Sequence, residues 1–238
     1  MLHRQGLKVN RKRVWRLMHE LGIAGEAPKR QPRTTDSNHA YPRFPNLVED
    51  LKVTRPEQVW VADITYIRLR KEFVYLSMLM DVFTRCIRGW HLGRSLEQAL
   101  TLTALERAFE RGFPEIHHSD QGVQYAATAY VEMLTGHEVK ISMANVGEPE
   151  ENGFAERLMR TIKEEEVDLS EYEDFADDMS GLGRFLDDVY NRKRIHSSLG
   201  YLTPSEFEQQ WISTQRSQVR VVTNVQSLRW SGFRGALQ

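Results

Sequence analysis

The sequence predicts an α/β fold, a mixed five-stranded sheet flanked by helices. Three apolar runs rich in β-branched and aromatic residues, VWVADITYIRL, EFVYLSMLMDVF and RCIRGWHLG, follow one another from Gln58 onward. Only RLRK separates the first two, which suits a hairpin, so the three read as an antiparallel meander. Downstream, helical and strand patterns alternate: SLEQALTLTALERAFERG, EIHHSD, TAYVEMLTG, VKISM. A meander followed by such alternation gives a mixed sheet that helices must cover.

The chain has 238 residues, 40% of them apolar, enough for one core of about 150 residues with appendages. Its net charge of −1 conceals segregation. Residues 1–48 hold ten Lys or Arg against three Asp or Glu, a local +7, whereas residues 164–188 are densely acidic. A basic arm on an otherwise acidic protein is compatible with phosphate binding, although a solvated basic helix and tail gives the same count. FVYLSMLMDVF, the longest apolar run, is interrupted by Asp81 and falls far short of a membrane span of about 20 residues. MLHRQGLKVNRKR lacks the apolar stretch of a signal peptide, and the single Cys86 excludes an internal disulfide and a two-cysteine zinc site. These features predict a soluble cytoplasmic protein.

VNRKRVWRLMHELGI predicts a short amphipathic helix with Asn10 as cap, Val14, Leu17, Met18 and Leu21 as its apolar stripe, and Gly22 at its end. Arg11, Lys12, Arg13 and Arg16 occupy its other sides. One helix cannot bury its own stripe, so it needs a partner in this chain or another. From residue 24 to 47, Pro28, Pro32, Pro42 and Pro45 among basic and hydroxyl residues predict a semi-rigid basic linker. The core follows from 48 to 212. Leu96, Leu100, Leu105 and Phe109 are expected on the inner face of its first long helix, which Gly112 stops. FADDMSGLGRFLDDVYNRKR predicts a later helix, and Thr203, Pro204 and Glu206 mark the start of a short terminal one. Residues 213–238 are polar and aperiodic and are expected to be a tail.

Between these lies EENGFAERLMRTIKEEE. Asn152 suits an N-cap, and Phe154, Leu158 and Ile162 recur at helical spacing as an inner face. Glu156, Arg160 and Lys163 stack along another side, a carboxylate in line with two cations that suit a phosphate backbone. Two further acids stand upstream. Asp63 lies inside VWVADITYI, where a carboxylate resists desolvation and must be protonated, paired or neutralised by metal. Asp120 ends IHHSDQG, in a turn. Taken singly, each acid has an ordinary reading: a backbone-bonded aspartate, a turn aspartate, an exposed helix glutamate. Their conjunction carries the hypothesis, because carboxylates are hard ligands for Mg²⁺, and two such ions can serve an in-line displacement at phosphorus.

Rival chemistries lack anchors. No GxxxxGK[ST] loop or GxSxG elbow occurs, and His117 and His118, without partners at zinc spacing, read as turn and packing residues. Trp60, Trp90 and Trp211 read as core or sheet-edge aromatics rather than base-stacking platforms.

VWVADITYI, EFVYLSMLMDVFTRCIRGW, HHSDQGVQY, ENGFAERLMRTIKEE and YNRKRIHSSLGYLTPSEFE, in this order, resemble the OrfB-type insertion-sequence transposases with a retroviral-integrase-like catalytic core. The likeness covers about residues 48–210, and GLKVNRKRVWRLMHELGI resembles the helix-turn-helix before that core, shortened as in a chain that starts inside it. The resemblance implies an RNase H-like fold and the acidic triad Asp63, Asp120 and Glu156, separated by 56 and 35 residues, as catalytic and metal-holding residues. It implies Mg²⁺, two ions per site, with Mn²⁺ as substitute, and strand cleavage by water followed by attack of the freed 3′ hydroxyl on another phosphodiester. It places Arg160, Lys163 and Asn152, with the basic residues of the first helix, against DNA. Its implied partners are insertion-sequence ends, target DNA, further copies of the chain and an upstream-encoded DNA-binding polypeptide. Gln121, Val123 and Glu151 depart from the family pattern, which often has Arg, a small hydroxyl residue and Asp there. An inactive DNA-binding relic, or an RNase H-like nuclease without strand transfer, remains the alternative at this stage.

Overall fold

The computed structural model describes residue 6 and residues 9–23, 41–69, 72–145, 148–170, 172 and 174–217. Most of the expected linker and the end of the expected tail therefore lie outside the described residues. Strands β1 (Val59–Arg68), β2 (Phe73–Asp81) and β3 (Ile87–Gly93) form the meander. Strands β4 (Ile116–Ser119) and β5 (Lys140–Met143) add in parallel beside β1, giving the order β3-β2-β1-β4-β5.

The near-continuous apolar strands follow from burial on both faces. Val59, Val61 and Ile67 of β1 enter one core with Leu76, Met78 and Met80 of β2. Trp60 and Ala62 point the other way, into a second core with Leu79. Helix α2 (Gln98–Phe109) covers this second face through Ala104, Leu105 and Ala108. It lies directly on β3, since a Cβ at Gly89 would stand 2.2 Å from the Ala104 carbonyl oxygen. Leu96 precedes the helix and is exposed, so its expected inward place is corrected. The short α3 (Val123–Ala126) and α4 (Thr128–Gly136) complete this layer with Tyr125, Tyr130 and Leu134.

The first face is covered by α5 (Gly153–Glu165) and α6 (Phe175–Arg184), the latter continuing as a π-helical segment Phe185–Lys193. Leu158 and Ile162 are buried as expected, but Phe154 is exposed and lies beneath the Arg85 guanidinium, 4.0 Å from it. The α6 helix runs through Gly181 because Tyr172 fills that space, within 2.6 Å of where a Cβ would be.

A last helix, α7, spans residues 204–217. Its start is a capping box in which Glu206 accepts from Thr203 N (2.9 Å) and Thr203 Oγ1 from Glu206 N (3.2 Å). It passes residue 212, so the stretch expected to be tail begins as helix. Arg88 docks it, pairing with Glu208 and with Glu57 (2.7 Å).

Helix α1 (Arg11–Glu20) is capped by Asn10, whose Oδ1 accepts from Arg13 N at 2.8 Å, and is closed by Gly22 at φ +68°. Its stripe stays uncovered among the described residues, with Leu17, Met18 and Leu21 all exposed. No helix among the described residues is long and apolar enough to cross a membrane.

Candidate active site

Two of the three acids share a cleft, and the third stands nearby on α5. Asp63 sits in β1 with the parity of Val61, so its side chain shares the face covered by α5. Asp120 follows the last residue of β4, the parallel neighbour of β1. Its Oδ1 accepts from Gly122 N at 3.0 Å, and a Cβ at Gly122 would stand 2.9 Å from that oxygen, which accounts for glycine in SDQG. Asp63 and Asp120 line one cleft of about 550 Å³ together with Tyr66, Tyr75, Leu96 and Tyr125. Glu156 stands in the first turn of α5, exposed and close enough to act on Asp63 electrostatically.

Burial, then the neighbouring Asp120, and to a smaller extent Glu156, push the Asp63 carboxyl up to about 8. One backbone hydrogen bond opposes this, from Ile64 N to Asp63 Oδ1 at 2.8 Å, together with the nearby Lys163 ammonium. Asp63 thus carries the tension that its place in an apolar strand predicts. Three carboxylates are a suitable donor set for a hard divalent cation, and Asp63 is the one whose charge such a cation would relieve. Among the described residues, however, no three His, Cys, Asp or Glu side chains are already gathered as a closed metal cage.

The remaining predicted residues divide. Arg160 is exposed on the α5 flank of Glu156. Lys163 is half-buried, its Nζ 4.6 Å from the centre of the Tyr66 ring, so it reaches toward the cleft. Arg11, Lys12, Arg13 and Arg16 are exposed on α1, where Arg16 pairs with Glu20 at 3.6 Å. Asn152 is the exception. It is 4% exposed, and its Nδ2 donates to the Ala62 carbonyl at 3.3 Å instead of capping α5. A side chain so buried is not placed to touch DNA; it fastens the entry of α5 to β1, one residue before Asp63.

Sequence reasoning missed the second fastening. His118 lies in β4, not in a turn, with Nδ1 2.8 Å from Ser142 Oγ and Nε2 3.2 Å from the Glu151 carbonyl. Burial pushes its imidazole down, toward the neutral form. The Glu151 carboxylate accepts from Asn145 N (2.6 Å) and from Asn46 Nδ2 (2.8 Å). Both strands that carry an aspartate are thereby tied to the helix that carries the glutamate. The signal was HHSD itself, but two adjacent histidines point to opposite faces of a strand, and only the register shows which one meets α5. Gln121 is likewise internal, donating to the Ala144 carbonyl at 3.0 Å.

The sheet order, with one aspartate in β1, a second just past the end of the adjacent β4 and a glutamate on the covering helix, is that of an RNase H-like core. Residues 53–149 match one model of the integrase core domain, residues 137–204 match a second, and residues 1–31 match an HTH-like domain. The transposase for insertion sequence element IS904 of Lactococcus lactis subsp. lactis is 32% identical over 212 residues, 87% of this chain and 84% of that protein. The transposase for insertion sequence element IS629 of Shigella sonnei is 32% identical over 215 residues, 90% of this chain and 72% of that protein. Among solved structures, the catalytic core domain of HTLV-2 integrase in complex with magnesium superposes with a TM-score of 0.54 at 19% identity, over 64% of this chain and 97% of that one. The catalytic core domain of BIV integrase gives 0.52 at 16%, over 67% and 99%. The chain belongs to the family of insertion-sequence transposases with an integrase core domain.

Proposed function

We propose that this chain is a DDE transposase, a polynucleotidyl transferase that cleaves DNA at the ends of its own insertion sequence and joins the freed ends to target DNA. Water opens a phosphodiester at the element end, and the 3′ hydroxyl so released attacks a phosphodiester of the target, without a covalent enzyme intermediate. The observation that carries this reading is Asp63, a carboxylate under strong desolvation that shares a cleft with Asp120, in a chain of this family.

Asp63, Asp120 and Glu156 hold the divalent cations in this reading, Mg²⁺ by preference and two per site. When bound, such ions activate the attacking oxygen and stabilise the leaving one. Arg160 and Lys163 lie along the DNA beside Glu156, and Arg11, Lys12, Arg13 and Arg16 contact phosphates from α1. Asn152 and His118 position α5 against the two strands. Several copies act together on paired ends, and an upstream-encoded polypeptide adds DNA-binding capacity. The HTH-like match at residues 1–31 supports the role of the basic arm.

A strand-transfer assay with labelled element ends and Mg²⁺ tests this. The chain should join ends to target DNA, and Asp63→Asn, Asp120→Asn and Glu156→Gln should each abolish joining while remaining folded. Binding of ends without any joining by the unaltered chain would reject the reading, and normal joining by one variant would remove that residue from the set.

A further inference from the structure

A second polar cavity, of about 290 Å³, lies on a different side of α5 from Glu156. Arg157, Thr161 and Phe154 stand roughly 100°, 140° and 160° round the helix from that glutamate. Arg85, Arg194, His196 and two serines, Ser197 and Ser198, also line it. The cavity holds three guanidinium groups but little to neutralise them. Arg194 is committed to Glu165 through two bonds of 2.6 Å, and its Nη1 lies 3.2 Å from His196 Nε2. Burial, and then the two arginines Arg194 and Arg85, push His196 down to about 4.

Arg85 and Arg157 make no ion pair among the described residues. Arg85 is half-buried at the β2–β3 turn, in a positive-φ conformation (64°) that turns it onto the Phe154 ring. The acid nearest in its electrostatic surroundings, Asp81, already accepts from Thr84 and Glu57. A guanidinium held partly out of water without a direct ion pair is costly, and the counter-charge that best fits its fork is a carboxylate or a phosphate.

The position favours phosphate on a strand. Met80 in the cavity wall is two residues along β2 from Met78, which pairs with Asp63, a separation of roughly 7 Å along the strand. We propose that this cavity is a second DNA-contact site, in which Arg85 and Arg157 each hold a backbone phosphate of a strand that passes from the acids over α5. The proposal rests on the transposase reading above.

The test is binding of element-end duplex by the full chain across a salt series. Arg157→Gln and Arg85→Gln are compared with Arg184→Gln, which removes an exposed α6 arginine outside the cavity. Each cavity variant should bind more weakly and lower the log–log salt slope by about 0.9, the value for one phosphate contact on B-DNA, whereas Arg184→Gln should match the unaltered chain. Should Arg85→Gln fail to fold, the exposed Arg157→Gln decides alone. Unchanged slopes in folded cavity variants overturn the proposal. A melting temperature raised by inorganic phosphate over chloride at equal ionic strength, with the DNA slopes unchanged, assigns the cavity to free phosphate and also overturns it. The joining assay, run alongside on the unaltered chain, separates the two readings: if it joins no ends, the transposase reading fails whatever the cavity does, whereas Glu156→Gln should lose joining yet keep the full slope.

Discussion

Two aspartates in the β1–β2 hairpin meet opposite circumstances. Asp81, at the end of β2, is fully buried and fully served: Oδ1 accepts from Thr84 N (2.6 Å) and Thr84 Oγ1 (2.8 Å), and Oδ2 accepts from Glu57 N (2.7 Å). Glu57 in turn pairs with Arg88, which docks α7. Asp63, in the middle of β1, has the Ile64 N–H, a lysine nearby and two more carboxylates acting against it. A carboxylate that the fold supplies with donors holds structure together, whereas one that the fold leaves in tension in a cleft is kept for a ligand. Asp81 is fully buried and Asp63 half-buried at the cleft, yet it is the less buried of the two that lacks compensation.

The largest effects should come from exchanging these roles. Asp81→Ala strands two backbone N–H groups and a hydroxyl, at about 1–3 kcal/mol each where the group stays buried, so the urea midpoint should fall sharply. Asp63→Asn should leave that midpoint unchanged or raise it, while strand transfer drops about a thousandfold or more, the equivalent of several kcal/mol of lost charge stabilisation. The comparison breaks if Asp63→Asn destabilises as much as Asp81→Ala.

A smaller change is expected at Lys163, whose ammonium lies by the Tyr66 ring at the cleft and is acted on by both Asp168 and Asp63. Glu165 is held by Arg194, and Glu166 accepts from the Tyr172 hydroxyl at 2.6 Å. Lys163→Gln should therefore flatten the salt dependence of DNA binding by about 0.9, and Glu165→Gln should leave it in place. Salt titrations of both variants measure this, and equal slopes in Lys163→Gln and the unaltered chain would remove Lys163 from the DNA path.

Asp178 sharpens the comparison from another side. It is fully buried on α6, and neither of its carboxylate oxygens has a hydrogen-bond partner among the described residues. Burial, then Asp177 and Glu166, push it up to about 7. Because the folded value is raised above that of the unfolded chain, its contribution to stability is fully present below about pH 4 and is lost as pH rises through about 7. Asp178→Asn should flatten the fall in melting temperature between pH 5 and 8 with joining within about twofold of normal. A large loss of joining would mean that tension of this kind marks more than the cleft.

Much of this was legible in the chain because local chemistry and the final fold agree. The two-faced burial of β1 and β2 demands apolar runs, and those runs stand out; Asp63 stands out because it violates one. The places that misled are those where a side chain serves a distant partner. Phe154 has helical spacing for the core but lies under Arg85, and Asn152 has an N-cap's position but donates to Ala62, 90 residues away. The link of His118 to the Glu151 carbonyl, and Arg85 and Arg157 without an ion pair among the described residues, depend on register and packing, which no local pattern encodes. Residues past 212 read as tail because a polar helix leaning on one face through Phe83, Phe207 and Trp211 shows little periodicity.

The central claim is that Asp63, Asp120 and Glu156 act as one metal-holding set, and metal-dependent stability tests it without relying on catalysis. Urea unfolding of the full chain would be followed with and without Mn²⁺, for the unaltered protein and for Asp63→Asn, Asp120→Asn and Glu156→Gln. At a metal concentration about 100-fold above Kd, the unaltered chain should gain about 2.7 kcal/mol, and each variant much less. Equal stabilisation of all four proteins would contradict the account, because the metal would then be held by something other than these acids.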